Sequence, residues 1–344
     1  MNTEYIKIPF DSDMGSELER AAALIRAGDL VAFPTETVYG LGADATNEEA
    51  AKKIYEAKGR PSNNPLIVHI AEPSDAEKYV YTDQRYYKIA QAFMPGPITV
   101  IMPSKHTVAS SVCAGLDTLA IRCPEHTIAR EFIRTCGVPI AAPSANTSGR
   151  PSPTSAEHVL HDLDGRISMI IDGGECEVGL ESTIVKLDRD KVILLRPGGI
   201  THEMLTALIG DVEIAKGVLE APRSDELVES PGMLIAHYAP KAPLYLVNGD
   251  RESVIEYMDS ALKNEQGAFV LAYDSTLFEC DRIISLGRED DRTDAAKRLF
   301  SALREADELG AEVIYAAYPD KSGIGLALLN RMLRASAFKV IELS

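Results

Sequence analysis

Residues 142–154 read Ala-Pro-Ser-Ala-Asn-Thr-Ser-Gly-Arg-Pro-Ser-Pro-Thr, and no other stretch restricts the fold of this chain as much. Three prolines hold φ and push the residues before them toward extended backbone, so the segment is a stiff loop. It follows a short apolar run, 138–141, with the character of a buried strand, and precedes a helical pattern starting near Ser155. A strand end meeting a helix start is where α/β folds bind ligands. Ser144, Asn146, Ser148, Ser152 and Thr154 place hydroxyl and amide groups at that mouth. The same residue types are the ordinary turn formers, so taken alone the stretch reads equally as a turn-rich connection.

The surrounding pattern is one of alternating strands and helices. Leu18, Ala21, Ala22, Leu24 and Ile25 share one helical face over 17–27, with Gly28 as C-cap. A buried strand is expected over 30–33, followed by a glycine-containing turn over 34–42 and a helix over 47–57 opened by Asn47, Glu48 and Glu49. Further strands are expected at 66–70, 98–102, 119–122, 138–141, 169–172, 182–187 and 192–196, and a helix at 126–135. Thr154-Ser155-Ala156-Glu157 matches a capping box, which predicts a helix directly after the central loop. Periodicity fades over 216–243, where Pro222, Pro231, Gly232, Pro240 and Pro243 punctuate the chain. Beyond it the alternation resumes, with strands at 244–247, 268–272, 283–286, 312–316 and 338–341 and helices at 253–263, 294–309 and 326–336. The chain is therefore read as α/β, with a first domain over 1–215, an interdomain linker over 216–243 and a smaller parallel α/β domain over 244–344. A length of 344 residues accommodates this division.

Composition narrows the function classes. Acidic residues outnumber basic ones, 52 to 35, and the net charge of −17 repels phosphate backbones, which disfavours general nucleic-acid binding. A nucleotide site must then be a local basic cluster. No apolar run reaches membrane-spanning length and the N-terminus lacks a signal-peptide pattern, so a cytoplasmic protein is expected. Five cysteines without a CxxC pair fit free thiols better than a disulfide framework.

Lys58 and Arg60 are the clearest candidates for such a cluster. They lie two residues apart between a helix and a strand, where an extended backbone would aim both at one ligand. Two solvated cations complementing a helix C-terminus is the competing reading. Arg122, with Thr118 on the same strand, and Arg196 before Pro197-Gly198-Gly199 add possible anion contacts. No P-loop motif is present. Gly40-Leu41-Gly42-Ala43-Asp44-Ala45 partly matches a dinucleotide fingerprint, but the helix begins too late for its N-terminus to hold a pyrophosphate. His158, His161 and Asp162 read as a solvated helix face, and HExxH and GxSxG patterns are absent. What remains is a reaction in which the protein positions its substrates electrostatically.

At this point the chain resembles the YrdC/Sua5 family. The resemblance rests on Pro34-Thr35-Glu36-Thr37-Val38-Tyr39-Gly40-Leu41-Gly42, Lys58-Gly59-Arg60-Pro61, Asn64-Pro65-Leu66-Ile67-Val68-His69 and Ser144-Ala145-Asn146 with Ser148-Gly149. Glu181-Ser182-Thr183-Ile184 and Leu195-Arg196-Pro197-Gly198 extend it. Ser230-Pro231-Gly232-Met233 with His237-Tyr238-Ala239-Pro240 resembles the linker of the long, Sua5 form. The resemblance implies a YrdC-like twisted α/β domain, a linker closing over the active site, and a Rossmann-like Sua5 domain. It implies an L-threonylcarbamoyladenylate synthase, a nucleotidyltransferase condensing L-threonine, bicarbonate and ATP into threonylcarbamoyl-AMP and pyrophosphate. The product would serve the t6A modification of tRNA adenosine 37 through a downstream tRNA threonylcarbamoyl transferase machinery, with direct tRNA contact not required.

By the same resemblance Lys58, Arg60, Ser144 and Asn146 form the catalytic set. Thr37, His69, Arg122, Ser144 and Ser182 would hold threonine, and Lys58, Arg60, Asn64, Thr118, Asn146, Thr154, Arg196 and Tyr238 would contact ATP. Mg²⁺ would enter on the ATP phosphates. One departure stands out, because Leu234-Ile235-Ala236 occupies a part of the linker where many long-form members carry basic residues. A carbamoyl-adenylate-forming carbamoyltransferase and a non-catalytic RNA-binding module are the alternatives. The missing CxxC pairs argue against the first and the net charge against the second.

Overall fold

The computed structural model describes residues 2–9, 14–221, 237–273, 275–278 and 280–343. Strand β1 (Glu4–Lys7) and helix α1 (Gly15–Arg26) lead into β2 (Val31–Phe33), β3 (Gly40–Asp44) and α2 (Glu48–Lys58). Next come β4 (Ile67–His69), α3 (Gln84–Phe93), β5 (Ile98–Pro103), α4 (Ser110–Cys113), β6 (Thr118–Arg122), α5 (Thr127–Cys136) and β7 (Ile140–Ala141). The first unit ends with α6 (Ala156–Leu163), β8 (Met169–Asp172), β9 (Thr183–Asp188), β10 (Lys191–Arg196), α7 (His202–Ile209) and β11 (Glu213–Ile214). Among the described residues these strands form one mixed sheet in the order β1-β8-β2-β3-β7-β4-β6-β5-β9-β10-β11. Leu18, Ala21, Ala22 and Ile25 of α1 pack with Ile128, Phe132 and Ile133 of α5 against one part of it, while α2, α3 and α6 bury their apolar stripes elsewhere on the sheet.

The second unit contains β12 (Leu244–Asn248), α8 (Arg251–Asn264), β13 (Ala268–Ala272), β14 (Ile283–Ser285), α9 (Arg292–Glu308), β15 (Val313–Ala317), α10 (Ile324–Ala335) and β16 (Val340–Glu342). Its sheet is ordered β14-β13-β15-β12-β16, and every pairing in it is parallel. Parallel strands need covered faces. Here α8 covers one face, and α9 and α10 cover the other. No helix among the described residues is long and apolar enough to cross a membrane.

Local chemistry explains the element ends. Asn47 accepts from the backbone N–H groups of Glu49 and Ala50 to start α2, and Gly59 in the left-handed conformation stops it. Two local expectations are corrected. The helix after the central loop is capped by Ser155, whose side chain accepts from His158 N, so Thr154 is not the capping residue. The segment expected as a turn over 34–42 ends in a strand, since Gly40-Leu41-Gly42 belongs to β3 and pairs antiparallel with β2. Glycine permits this because a Cβ on Gly42 would lie 2.9 Å from Ile140 Cγ2 and 3.0 Å from Phe33 Cε1.

The stretch expected as a linker is partly described. Lys216–Val218 forms a short 3₁₀ turn held beneath α10, where Asn330 Nδ2 donates to Val218 O at 2.7 Å and Arg334 Nη2 to Gly217 O at 2.6 Å. Ser230 to Met233 and Leu234-Ile235-Ala236 lie outside the described residues.

Polar contacts join the two units. Arg331 of α10, fully buried, donates to Glu181 Oε2 at 2.7 Å and to Pro197 O at 3.0 Å. Arg304 of α9 grips Asp162 and the carbonyl of Pro151, and Asp307 accepts from Arg150 at 2.6 Å. Removing one partner of a buried ion pair strands the other charge. Arg331→Ala is expected to cost roughly 3–5 kcal/mol of stability in urea unfolding; a loss below about 1 kcal/mol would show that water reaches Glu181.

Candidate active site

A narrow cavity of about 30 Å³ lies over one face of the first sheet, lined by Thr35, Val38, Tyr39, Gly40, Arg60, Ile67, His69, Arg122, Ala142, Pro143, Ser144, Glu181, Arg196, His237 and Tyr238. The expectation placed the site at strand ends. Instead it runs along the strands, because Ile67, Ala120 and Ile184, together with Ile101 and Leu195, make a small apolar floor. Side chains alternate along a strand, so Ile67 and His69 of β4 share this face, as do Thr118, Ala120 and Arg122 of β6. His69 and Arg122 are register partners at one end of the floor.

Arg122 is buried. Its Nη2 donates to Thr37 Oγ1 at 2.7 Å and stands 2.8 Å from the Glu36 carboxylate. Ser182 shares a hydrogen bond with Thr99 at 2.8 Å and accepts from Arg196 Nη2 at 3.2 Å. Arg196 reaches this position beside a register shift between Leu194 and itself, a bulge of the kind that re-aims a side chain. At the other end of the floor Arg60 donates to the carbonyls of Asn64 and Pro65, at 3.4 and 3.1 Å.

Lys58 and Arg60 are not the extended pair expected. Lys58 is the last residue of α2 and Gly59 turns left-handed after it, so the two cations approach from different directions. Both are buried, at 1% and 7% exposure, which removes the solvated-pair reading. Lys58 Nζ is held by the carbonyl oxygens of Ser144 and Asn146 and faces Asn146 Oδ1 at 3.4 Å. Ser144 Oγ donates to Asn146 Oδ1 at 2.6 Å, and Asn146 Nδ2 ties the loop by donating to Thr147 O and Arg150 O.

From the linker side, His237 and Tyr238 meet edge to face at 4.0 Å. Tyr238 adopts φ 68°, a region costly for a bulky residue. It is held there between Phe300 of α9 and the guanidinium of Arg331, while Ala239 N donates to Gly149 O at 2.8 Å. Thr154 faces Ser301 of α9 at 3.0 Å rather than the cavity. Thr118 shares the floor's face but sits at the opposite end of β6 from Arg122 and does not line the cavity.

Comparison with known proteins now bears on this geometry. The family model described as "Telomere recombination", of the Sua5, YciO and YrdC proteins, matches residues 23–198. The model described as "Threonylcarbamoyl-AMP synthase, C-terminal domain" matches 200–337. The chain belongs to the YrdC/Sua5 family. A threonylcarbamoyl-AMP synthase of Bacillus subtilis is 46% identical over 95% of this chain and 94% of that protein. One from Pyrococcus abyssi is 44% identical over 94% of each. The crystal structure of P. abyssi Sua5 complexed with L-threonine superposes with a TM-score of 0.93 at 42% identity, covering 99% of this chain and all of that one. The carboxyl-terminal model and this full-length similarity mark the long, Sua5 form.

Electrostatics give this Sua5-form site its character. Burial, reinforced by the charge of Arg60, pushes the Lys58 ammonium well below its ordinary range. Burial lowers Arg60 and Arg196 to about 10 each, and lowers His69 to about 3 with Arg122 adding to the effect. These cations lack enough carboxylates, so the site favours an anionic guest. Burial opposes ionisation of Glu181, but Arg331 and Arg196 outweigh it and hold that carboxyl below its usual range.

Glu36, Glu181, Thr35 and His237 shape the site although none was expected as a ligand residue. Their signal was present in the Pro-Thr-Glu-Thr, Glu-Ser-Thr and His-Tyr blocks, but nothing local shows a carboxylate to be buried.

His69 is neutral when folded down to about pH 3 and titrates near 6.5 when unfolded. Between those values the unfolded chain binds the extra proton, so stability rises with pH across the window and is lost as pH falls from about 6.5 toward 3. His69→Gln is expected to flatten the pH dependence of the unfolding free energy there, by up to about 1.4 kcal/mol per pH unit. An unchanged slope would contradict a buried neutral imidazole.

Proposed function

We propose that this chain is a threonylcarbamoyl-AMP synthase of the nucleotidyltransferase class, using L-threonine, bicarbonate and ATP and releasing pyrophosphate. One observation carries the reading. Around a cationic cavity, Arg122 Nε, Asn64 Oδ1, His237 Nδ1 and Tyr238 Oη are buried without a well-directed hydrogen bond among the described residues. Buried polar groups are normally satisfied, so this concentration fits a site built for a polar, anionic guest.

The residues divide by position. Arg122, His69, Thr37 and Ser182 surround the end of the floor suited to an amino acid, with the Arg122 guanidinium as the carboxylate partner. Ser144 belongs with the threonine group in this proposal, and Arg60, Lys58, Asn146, Asn64 and Arg196 would contact the phosphates. Thr118, on the same face, and Thr154 belong to the ATP side of this proposal with Tyr238. The threonine amine attacks the carbon of bicarbonate and water departs, giving a carbamate. A carbamate oxygen then attacks the α-phosphorus, the bond to the β-phosphate oxygen breaks, and pyrophosphate leaves. Such a transfer needs alignment and charge stabilisation rather than a covalent enzyme intermediate. The described residues contain no cluster of three His, Cys, Asp or Glu side chains able to hold a metal. In this proposal Mg²⁺ would arrive on the ATP phosphates, where it would offset their charge. The product would pass in the cytoplasm to the transferase machinery that completes t6A on tRNA, which requires no tRNA contact here.

The test is pyrophosphate release with threonine or bicarbonate omitted in turn. Release is expected to need both, and Arg60→Ala and Lys58→Ala are each expected to lower kcat/KM by about 100-fold or more. Release indifferent to threonine would mean a different acceptor.

A further inference from the structure

The second unit holds a cavity of its own, of about 200 Å³, that shares no residue with the catalytic one. It lies beyond the carboxyl ends of β12, β13 and β15. The chain leaves β12 for α8 on one face of the sheet and leaves β15 for α10 on the other. Neighbouring strands whose connections part to opposite faces open a crevice, and open parallel sheets bind ligands there.

The lining has two parts. Val254, Met258 and Leu271 give an apolar wall. At the rim stand Arg251 and Arg292. Arg292 lies over the Tyr273 ring at 4.8 Å and uses Nε to bind Asp320 at 3.0 Å. Tyr273 Oη is buried beside the Arg292 guanidinium and has no well-directed hydrogen bond among the described residues. Arg251 is offset by Glu289 at 3.2 Å. Each cation is paired with one carboxylate, so the rim has no excess charge to draw a polyphosphate, and an acid group would be held through the donors that the Arg292 guanidinium has left.

We propose that this cavity is a second ligand site, taking a small organic molecule with one acidic group on an apolar, ring-sized body. The body lies on the Val254–Met258 wall and the acid is held by Arg292, with Tyr273 donating its hydroxyl. Arg292 opens α9, the helix whose Ser301, Arg304 and Asp307 bind the first unit. The site is thus joined to the catalytic loop by one rigid element.

The chain contains no tryptophan, so Leu277→Trp at the rim gives a single indole reporter. The probes are 8-anilinonaphthalene-1-sulfonate and its neutral counterpart N-phenyl-1-naphthylamine, titrated into the full-length variant. The sulfonate is expected to quench the indole saturably, at one dye per chain, and to bind about tenfold more tightly than the neutral dye. Arg292→Gln in the same background is expected to erase that preference, and Ala317→Phe, which fills the floor, to abolish quenching by both dyes. Equal affinities for the two dyes, non-saturating quenching, or a sulfonate affinity unmoved by Arg292→Gln would each overturn the proposal; this last comparison holds even if Ala317→Phe fails to fold.

Discussion

Glu181 and Arg331 meet at 2.7 Å where the two units touch, both shielded from water. The carboxylate also accepts from Ser152, and the guanidinium also donates to the carbonyls of Pro197 and Glu181. Charges are buried at such a cost that they persist only with partners fully in place. The pair therefore ties the position of α10 to the Glu-Ser-Thr turn, and through Ser152 to the proline-rich loop. The site then depends on a helix more than a hundred residues further along the chain.

The same low-polarity surroundings govern the candidate active site. Lys58, Arg60, Arg122 and Arg196 are buried in a protein whose net charge is −17. An acidic exterior keeps polyanions from binding broadly, while four cations withdrawn from water attract an anion at one place. Carbonyl oxygens rather than carboxylates hold Lys58 and Arg60. Carbonyls solvate a cation without cancelling its charge, which is what the proposed phosphate contacts of Lys58 and Arg60 require.

Tyr238 shows how the units share the work. It lies within the linker stretch in sequence, yet it lines the candidate cavity and packs tilted against Phe300 of the second unit. Tyr238 is thus held by Phe300 of α9 and Arg331 of α10, which support this side of the cavity from behind.

The alternation of apolar runs with capped helices, legible from residues alone, located most strands and helices and the division into two α/β units. The blocks around Lys58, His69, Ser144 and Ser182 were equally legible, because a basic pair, a stiff Pro-Ser loop and a Glu-Ser-Thr turn are local patterns. Periodicity could not show that Gly40-Leu41-Gly42 is a strand, since glycine carries no side chain to alternate. Nor could spacing show how Lys58 and Arg60 reach the ligand, because a left-handed glycine separates them. The pairing of Glu36 with Arg122, of Glu181 with Arg331 and the bulge that aims Arg196 join residues distant in sequence. By itself the sequence determined which chemical groups this protein owns and the order of its elements, for these are properties of short stretches. Only the tertiary structure decided which charges lose their water and which partner each one meets, because desolvation and ion pairing depend on distances that folding alone creates.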